Sequence, residues 1–495
     1  MPALLTESLQ VSLLNSAVSL IDDQSGQASP LWLVAYSGGL DSHVMLHGML
    51  NVCRSDTFKS AMAAKQLILP RIEVVHVNHG LQVEADNWAK HCQQICDNLA
   101  IPLHNLKADI LCSSNVEAEA RKARYRLFYE VIQQKQQTNV YAYTAIFVAQ
   151  HQQDHIETFL YRLMRGAGLK GLQGMKQKMS LSDIDASLGM NDNGKVGNSL
   201  QLNYVLRPLL DYSQAELNDY AHINALHWVE DTSNLDERFD RNFLRHSILP
   251  LMLARWPQLT NRLSKNIKYL QQSQAMLDEL AKLDLQQSQN HAVSLQQIER
   301  RTDQSYFSFP DPAFYFEYFL ALAEGKARFV NALQFWLNAQ ASKQSLFMPM
   351  SETQLESLVD QVFNPLYSKT IVFELSCARY RLHSFQRALY LVNDQNTVNQ
   401  SPAVMHWLTG SLTWCGVVYT CTGNFDFEVR RRPEGGRMHI RGTHRKLKAL
   451  LQEAEVPTWH RDRLPYFYVG SELVAVGSVY RSDTLVAQDI VISSQ

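Results

Sequence analysis

The sequence predicts a multidomain α/β protein whose N-terminal domain is built on a parallel β-sheet. Three short segments, LWLVAY from Leu31, IEVVHV from Ile72 and AIFVAQ from Ala145, are almost continuously apolar, as strands buried on both faces of a parallel sheet are. Between them lie EADNWAKHCQQICDNLA and VEAEARKARYRLFYEVIQQ, with apolar residues three and four positions apart. That spacing predicts the helices that cover such a sheet.

Length and composition exclude several classes of protein. The chain has 495 residues, of which 46% are hydrophobic and 19% charged, a composition typical of folded proteins and not of disordered or collagenous ones. At roughly 100 to 200 residues per domain, the length favours about three domains. No apolar run of about 18 residues occurs, so we expect no membrane span.

The cysteines and the N-terminus indicate the compartment. The seven cysteines are odd in number, widely spaced and never arranged as CxxC, which argues against a disulfide framework and against a zinc ribbon. No basic leader precedes the first apolar residues, so we expect no signal peptide and a cytoplasmic protein. We expect an amphipathic helix in the first twenty-odd residues and a surface loop from about Leu181 to Asn198.

The pattern predicts three domains. We place an N-terminal catalytic domain at residues 1–245, a helix-rich middle domain at 246–400 and a small α+β domain at 401–495. The last assignment depends on short alternating segments such as SLTWCGVVYTC and SELVAVGSVY, which are typical of strands joined by turns.

The most informative motif is SGGLDS, residues 37–42, which directly follows the first predicted strand and opens a predicted helix. Glycines there allow close approach of the backbone to an anion, while successive N–H groups, the helix dipole and the two serine hydroxyls favour a phosphate. The alternative is a plain glycine-rich turn that ends in a helix cap. A second match, GAGLKG from Gly166, follows a predicted helix, which is the wrong order for a dinucleotide site, so it indicates a helix C-cap or a loop that closes over a ligand.

The segment HQQDHIET, residues 151–158, leaves a predicted strand and enters a predicted helix, so its polar groups lie at the carboxyl edge of the sheet. His151, Asp154 and Glu157 are spaced by three, which keeps them on one helix face. A carboxylate there is suited to hold Mg²⁺ against phosphates. The alternative is a capping box, with Asp154 as cap.

Two segments concentrate positive charge in a protein whose formal net charge is −2. Eight Lys and Arg residues and one acid lie between Arg430 and Lys448, and six basic residues and no acid lie between Arg241 and Lys268. A solvated helix face would explain either segment alone. Both together, in a chain with a predicted phosphate loop, favour RNA as the partner.

The loop SGGLDS resembles the pyrophosphatase loop, or PP-loop, of the N-type ATP pyrophosphatases. Further motifs occur in the order seen in tRNA(Ile)-lysidine synthases: HVNHGL (76–81), EAEARKARY (117–125), HxxDxxET (151–158), RGAGLKGLQGM (165–175), RPLL (207–210), EDTSNLDERFDRNFLRHSILPLM (230–252) and, near the C-terminus, KLKALLQEAEVPTWHRDRLP (446–465). The resemblance covers nearly the whole chain. It implies a Rossmann-like PP-loop ATPase domain, a helical middle domain that binds tRNA or substrate, and a small α+β domain that binds tRNA.

The resemblance also implies a reaction. ATP adenylates the C2 carbonyl oxygen of the wobble cytidine of a CAU-anticodon tRNA(Ile), and free lysine then displaces AMP to form lysidine. This product would change codon reading from AUG to AUA and identity from methionine to isoleucine. The implied cofactors are ATP and Mg²⁺, the implied partners are tRNA(Ile) and L-lysine, and the sequence leaves a homodimer open.

The resemblance carries roles onto particular residues. The residues implied to hold ATP are Ser37, Gly38, Gly39, Leu40, Asp41 and Ser42. The implied catalytic residues are Asp41, His151, Asp154, Glu157 and Arg241, with Asp41 and Asp154 also as Mg²⁺ ligands and Glu157 as receptor of the lysine ammonium. The implied tRNA-binding residues are Arg121, Arg124, Arg430, Arg431, Arg432, Arg441, Arg445, Lys446 and Lys448. The chain departs from the family pattern at Gln82 and at Gln153, where the family often has Arg and an acid.

Two other functions compete with this interpretation. A tRNA thiolase of the same loop family would share the adenylation step, but Cys92 and Cys96 lie one helical turn apart in a covering helix and are interpreted as core residues. A catalytically silent RNA-binding protein is the other alternative. The presence of both SGGLDS and HxxDxxET argues against it.

Overall fold

A computed structural model describes residues 11, 29–64, 66, 68–80, 85–108, 116–137, 141–181, 184, 204–230, 238, 240–299, 313–344, 350–364, 372–375, 380–393, 404–407, 411–415, 417–421, 426–486 and 492–494. The helix expected in the first twenty-odd residues and most of the loop expected at residues 181–198 lie outside these ranges. The chain divides into two compact units, Met1–Leu277 with Ala341–Phe347 and Asp278–Gln340 with Met348–Gln495.

The first unit contains a six-stranded sheet with the strand order β3-β2-β1-β4-β6-β5. Its strands are β1 (Ser29–Ala35), β2 (Arg71–Asn78), β3 (Leu103–Lys107), β4 (Tyr141–Phe147), β5 (Lys178–Ser180) and β6 (Tyr204–Leu206). The first four and β6 pair in parallel, and β5 is antiparallel to β6. The predicted parallel α/β fold is confirmed.

Helices surround this sheet and continue beyond it. They are α1 (Leu40–Arg54), α2 (Asp56–Ala64), α3 (Ala85–Leu99), α4 (Val116–Gln137), α5 (Gln152–Met164), α6 (Leu169–Leu172), α7 (Gln214–Ile223), α8 (Asp240–Phe243), a π-helix (Leu244–Ile248), α9 (Leu249–Arg255) and α10 (Leu259–Glu299). Both predicted covering helices, now α3 and α4, are confirmed. No helix among the described residues is long and apolar enough to cross a membrane.

The central strand explains why the sequence pattern was continuous and not alternating. Trp32 and Val34 pack into a core that includes residues of α1, α3 and α7, whereas Leu31 and Leu33 pack on the other face against α4. Because successive side chains of a strand point to opposite faces, a strand covered on both faces must be apolar throughout. The strand is therefore held in place by one hydrophobic core on each of its two faces.

The second unit is built from small sheets and short helices. Its strands are β7 (Ala313–Tyr315), β8 (Val372–Glu374), β9 (Tyr380–Phe385), β10 (Ala388–Asn393), β11 (Val404–Trp407), β12 (Ser411–Trp414), β13 (Val417–Cys421), β14 (Phe427–Arg430), β15 (Arg437–Ile440), β16 (Thr443–Lys446), β17 (Tyr466–Val469), β18 (Glu472–Val476), β19 (Tyr480–Arg481) and β20 (Ile492–Ser494). Its helices are α11 (Glu317–Leu320), α12 (Gly325–Gln344), α13 (Glu352–Phe363), α14 (Leu447–Glu453), α15 (Thr458–Arg461) and α16 (Asp483–Val486).

The sheets of this unit were only partly predicted. The alternating segments near the C-terminus do form strands, in the sheets β11-β14-β17-β18-β19 and β12-β13-β20 and the hairpin β15-β16. In the middle region, however, helices α12 and α13 are accompanied by a four-stranded antiparallel sheet, β7-β10-β9-β8, which the sequence analysis did not predict.

Candidate functional site

The loop of residues 37–42 is closed by its own two serines. Ser42 Oγ donates to the Gly39 carbonyl at 2.9 Å and accepts from the Ser37 N–H at 3.2 Å, and the Ser37 and Ser42 hydroxyls lie 3.1 Å apart. Gly38 has φ +85°, and a Cβ built on it would lie 3.0 Å from Cys92 Sγ. The turn therefore requires glycine at position 38 for backbone conformation and for space.

Helix α1 starts at the end of this loop without a side-chain cap. Its N-cap is Gly39, which makes no side-chain capping hydrogen bond. The first N–H groups of a helix have no partner within the helix, and the helix dipole adds partial positive charge there. At the carboxyl edge of a parallel sheet, such a helix start is an anion-binding arrangement, as the sequence predicted.

His151 is the N-cap of α5, and its hydrogen bonds define its tautomer. The Gln153 N–H donates to His151 Nδ1 at 3.2 Å, and the His151 N–H donates to Asp154 Oδ2 at 3.0 Å. Nδ1 is thus the acceptor, so in the neutral imidazole Nε2 carries the hydrogen. A capping box is present, but its cap is His151 and not Asp154, which is the third residue of the helix, so the box expected as an alternative was placed one turn too late. His151 and Asp154 also face the loop.

Asp41 and Asp154 are brought to the same imidazole nitrogen. His151 Nε2 lies 3.6 Å from Asp41 Oδ2 and 3.5 Å from Asp154 Oδ2. The other oxygen of Asp41 accepts a hydrogen bond from Gln214 Nε2 at 2.9 Å. Two carboxylates from α1 and α5 therefore meet beside the phosphate loop, as the two motifs predicted.

Arg245 completes the site and was missed as a site residue. Its Nε donates to Glu157 Oε1 at 2.7 Å, and its Nη2 donates to Glu157 Oε2 at 2.8 Å and to Asp154 Oδ1 at 3.0 Å. Arg245 lies in the π-helix, a rare turn that is frequent at functional sites. In the sequence it was only one member of a basic segment.

Burial and charge oppose each other at these groups. Burial raises the pKa of Asp41, and the charge of His151 and the hydrogen bond from Gln214 act against it. Burial likewise raises the pKa of Glu157, with Arg245 as the opposing group. Burial lowers the pKa of Arg245, but the hydrogen bonds to Glu157 and the nearby carboxylate charges outweigh it and raise the pKa.

The other predicted basic residues of the first unit lie near a second group of arginines. Arg121 stacks over the Tyr125 ring at 5.2 Å, and Arg124 Nη2 lies 3.2 Å from His79 Nε2. Arg207, buried, donates to Gln150 Oε1 at 2.5 Å, next to His151 in sequence. Burial lowers the pKa of Arg162, and so do the charges of Arg121, Arg241 and Arg207, so these four guanidinium groups share one region.

Arg241, predicted as catalytic, lies in α8, one turn before Arg245 in the chain. Arg245, four residues further on, contacts Asp154 and Glu157 with its guanidinium. The GAGLKG segment follows α5, and Gly166 has φ +71° with its N–H bonded to the Leu163 carbonyl. It is a helix C-cap, as one of the two interpretations proposed.

The C-terminal basic residues differ in whether a carboxylate pairs with them and in how exposed they are. Arg430 pairs with Glu428 and lies 4.5 Å from the Tyr468 ring centroid, Arg432 pairs with Asp462, and Arg445 pairs with Glu453. The exposed ones are Arg437, Arg441, Lys446 and Lys448. Arg431 is half-buried. The hairpin β15-β16 pairs Arg437 with Lys446 and His439 with His444, which gives it one basic face.

The donor set fits Mg²⁺. Mg²⁺ is held in proteins by one or two carboxylates together with water and substrate phosphates. Asp41 and Asp154 supply two such carboxylates, both facing one nitrogen next to the phosphate loop. Among the described residues there is no group of three or more His, Cys, Asp or Glu side chains suited to hold a metal by themselves. Any cation would thus share the site with phosphates.

Comparison with known proteins agrees with this geometry. A family model described as a PP-loop domain matches residues 11–252, and one described as the TilS substrate C-terminal domain matches residues 427–490. The parallel sheet, the SGGLDS turn and this match together define a PP-loop protein.

Curated relatives narrow the class to one family. The tRNA(Ile)-lysidine synthase of Coxiella burnetii is 31% identical over 461 residues, covering 90% of this chain and 87% of that protein. The one of Pseudomonas fluorescens is 33% identical over 457 residues, covering 90% and 89%. The chain belongs to the tRNA(Ile)-lysidine synthase family, which is a family of ligases, and the family assigned from the motifs is confirmed. Among solved structures, a U34-tRNA thiolase from Methanococcus maripaludis aligns with a TM-score of 0.38 at 12% identity over 55% of this chain and 80% of that one, a likeness too weak to carry an argument.

Proposed function

We propose that this protein uses ATP to ligate free lysine onto C2 of the wobble cytidine of CAU-anticodon tRNA(Ile), through an adenylated cytidine, with release of pyrophosphate and AMP. The observation that carries the proposal is the meeting of Asp41, His151 and Asp154 beside the loop of residues 37–42. The relatives' shared name supports the choice of tRNA and amino acid.

The first step is adenylation of the cytidine. The loop N–H groups, the Ser37 and Ser42 hydroxyls and the start of α1 bind the ATP phosphates. Asp41 and Asp154 would hold Mg²⁺, which supplies charge stabilisation to the phosphates when bound. The cytidine O2 then attacks the α-phosphorus and pyrophosphate leaves. His151 presents Nε2–H at the same place, where it can donate to a phosphate oxygen.

The second step replaces the phosphate by an amine. The lysine ε-amine attacks C2, and AMP leaves with the former carbonyl oxygen. An ammonium group must lose a proton before it attacks. The ionisable groups around the site include three carboxyls and one guanidinium, those of Asp41, Asp154, Glu157 and Arg245. Even when one carboxyl is protonated, these four groups carry two negative charges and one positive charge. This net negative charge attracts cationic substrates. Glu157 can receive an ammonium only by sharing its oxygens with Arg245.

Buried cysteines disfavour the thiolase alternative. Cys92 and Cys96 are fully buried, and burial raises the pKa of Cys92 to about 12 and that of Cys96 to about 11. A reactive cysteine needs a thiolate at neutral pH and access for its substrate. These two residues are core residues, as the sequence analysis interpreted them.

The test is incorporation of radiolabelled lysine into a CAU-anticodon tRNA(Ile) transcript with ATP and Mg²⁺, beside a transcript with uridine at the wobble position. We expect label in the first transcript only. Asp41→Asn and Asp154→Asn should abolish tRNA-dependent pyrophosphate release with little change in tRNA affinity. Asp211→Asn, at an exposed aspartate that pairs with Lys268, is the matched control.

Two results would contradict the proposal. Pyrophosphate release without lysine incorporation would keep adenylation and require another nucleophile. The absence of both signals would favour a silent RNA-binding protein.

A further inference from the structure

Gln214 is a second residue bound to Asp41, and it comes from a distant part of the chain. Its Nε2 donates to Asp41 Oδ1 at 2.9 Å, although the two residues are 173 positions apart in the sequence. The other oxygen, Oδ2, is the one that faces His151 Nε2 at 3.6 Å. The two oxygens of Asp41 thus have separate surroundings, one bound by an amide and one turned toward the site.

Helix α7 holds Gln214 in place. Gln214 is its first residue, and the N-cap is Ser213, whose Oγ accepts from the Glu216 N–H at 3.3 Å while its own N–H donates to Glu216 at 2.8 Å. Such a capping box fixes the start of a helix.

Helix α7 is also docked on α1, the helix that carries Asp41. Tyr220 of α7 lies with its hydroxyl 3.0 Å from His47 Nδ1 of α1, and Leu217, Tyr220 and Ala221 belong to the same buried core as Met45 and Met49 of α1. The hydrogen bond from Gln214 to Asp41 therefore joins two elements that are already fixed against each other. This is how a side chain positions another without touching the substrate.

The amide orients the carboxylate without neutralising it. A lysine or an arginine at this position would place a positive charge on Asp41 and compete with a cation for it. An amide donates one hydrogen bond and adds no charge. Gln214 also lines a cavity of about 380 Å³ together with Arg245 and apolar residues of α9 and α10, so its side chain lies at the edge of the open site.

We propose that Gln214 is a positioning residue, which holds Asp41 Oδ1 so that Oδ2 stays turned toward the site and available to a divalent cation. This inference rests on the cation-binding role proposed above for Asp41. It assigns to α7 a part in the ATP site that neither the phosphate loop nor the HxxD segment supplies.

The test measures cation binding apart from turnover. Mn²⁺ replaces Mg²⁺, and its binding to the protein with a non-hydrolysable ATP analogue is followed by electron paramagnetic resonance. Gln214→Leu removes the amide, and Gln214→Asn has a shorter amide that cannot reach Asp41. We expect each variant to raise the apparent Kd for Mn²⁺ by roughly 10-fold, the scale found for residues that orient metal ligands. In turnover assays both should raise the Mg²⁺ concentration needed for half-maximal pyrophosphate release and leave the KM for tRNA unchanged.

Gln177→Leu is the matched control. Gln177 is an exposed glutamine whose Nε2 donates to Asp211 at 2.8 Å, so its replacement removes the same kind of bond elsewhere in the same unit. We expect it to bind Mn²⁺ as the wild type does. Wild-type Mn²⁺ binding in both Gln214 variants, beside weakened binding in Asp41→Asn, would overturn the role of Gln214 alone. Wild-type binding in Asp41→Asn as well would overturn the cation role of Asp41 itself.

Discussion

Arg245 Nε lies 2.7 Å from Glu157 Oε1, and Glu157 is 1% exposed, so this ion pair lies at the buried end of the site. The second contact, from Nη2 to Asp154 at 3.0 Å, makes the same guanidinium the link between α5 and the π-helix. One cation thus holds two acidic residues that the sequence motif places on one helix face.

Removal of Arg245 should destabilise the first unit. Arg245→Leu would leave the carboxyl of Glu157 buried without its partner, and breaking a buried pair in this way costs about 3 to 5 kcal/mol. The double variant Arg245→Leu/Glu157→Leu should recover most of that loss, because the buried carboxyl that Arg245 pairs with is then absent as well. Urea unfolding of both variants measures the effect. Arg255→Leu, at an exposed arginine of α9, is the control, and an equal loss in it would contradict the expectation.

The sequence predicted those parts of the site whose residues are close together in the chain. SGGLDS and HxxDxxET each act within one turn and the helix that follows, so their spacing already implies their geometry. Gln214 and Arg245 reach Asp41 and Glu157 across 173 and 88 residues, through the docking of helices. Nothing in the local pattern around Arg245 indicates a π-helix, and its charge made it resemble an RNA-binding residue.

In the fold, too, the elements with a clear local pattern were predicted and those that depend on long-range pairing were not. Strands buried on both faces were recognised because they are apolar throughout, whereas β3, with the sequence LHNLK at the sheet edge, is half-exposed and mixes polar with apolar residues. The sheet of the middle region escaped prediction because its strand β7 has three residues and pairs with β10, more than seventy residues later in the chain. Long-range pairing leaves little local signal.

Gly38 and Gly166 form a matched pair for testing the loop. Both have positive φ, +85° and +71°, so an alanine at either position costs about 1 to 2 kcal/mol in backbone strain. Only at Gly38 would the new Cβ meet a neighbour, Cys92 Sγ at 3.0 Å, whereas nothing lies within 4 Å at Gly166. We expect Gly38→Ala to lose ATP binding as well as stability and Gly166→Ala to lose stability alone. Isothermal titration with an ATP analogue measures the affinity of each variant. Equal affinity in Gly38→Ala and Gly166→Ala would contradict the role of Gly38 in ATP binding.

The turn and second strand of the hairpin β15-β16, together with the start of α14, should supply part of the affinity for tRNA. Arg441, Lys446 and Lys448 are exposed, while Arg432 and Arg445 are held by carboxylates. Because each phosphate contact contributes about 0.9 to the salt slope for duplexes, replacing the three exposed residues by Ala should lower affinity and flatten the slope by about 2 to 3. The variant Arg432→Ala/Arg445→Ala is the comparison, with a smaller expected change. Filter binding across a salt series measures the salt slope of tRNA affinity for both variants. Equal slopes in the triple and the double variant would refute the role of the exposed residues.

Glu73 should make the stability of the sheet depend on acid pH. Its carboxylate, on β2, is fully buried and accepts from His104 Nε2 at 2.7 Å and Lys135 Nζ at 2.8 Å. Burial by itself raises the pKa, but these hydrogen bonds and charges outweigh it and lower the pKa from 4.5 to about 2. A lowered folded-state pKa adds stability that is complete above pH 4.5 and disappears as pH falls toward 2, in total about 3 kcal/mol.

This dependence is measurable as a difference between variants. Glu73→Gln should unfold at lower urea than the wild type at pH 7, and the gap in unfolding free energy should shrink as pH falls below about 4.5. Glu130→Gln, at an exposed glutamate of α4, controls for the general effect of acid because it makes the same substitution at an exposed position. A gap between wild type and Glu73→Gln that stays constant from pH 7 to 3.5 would show that the carboxylate charge does not contribute. Since β2 lies next to the strand that leads into the phosphate loop, loss of ATP-analogue binding should follow the unfolding of this variant at the same pH.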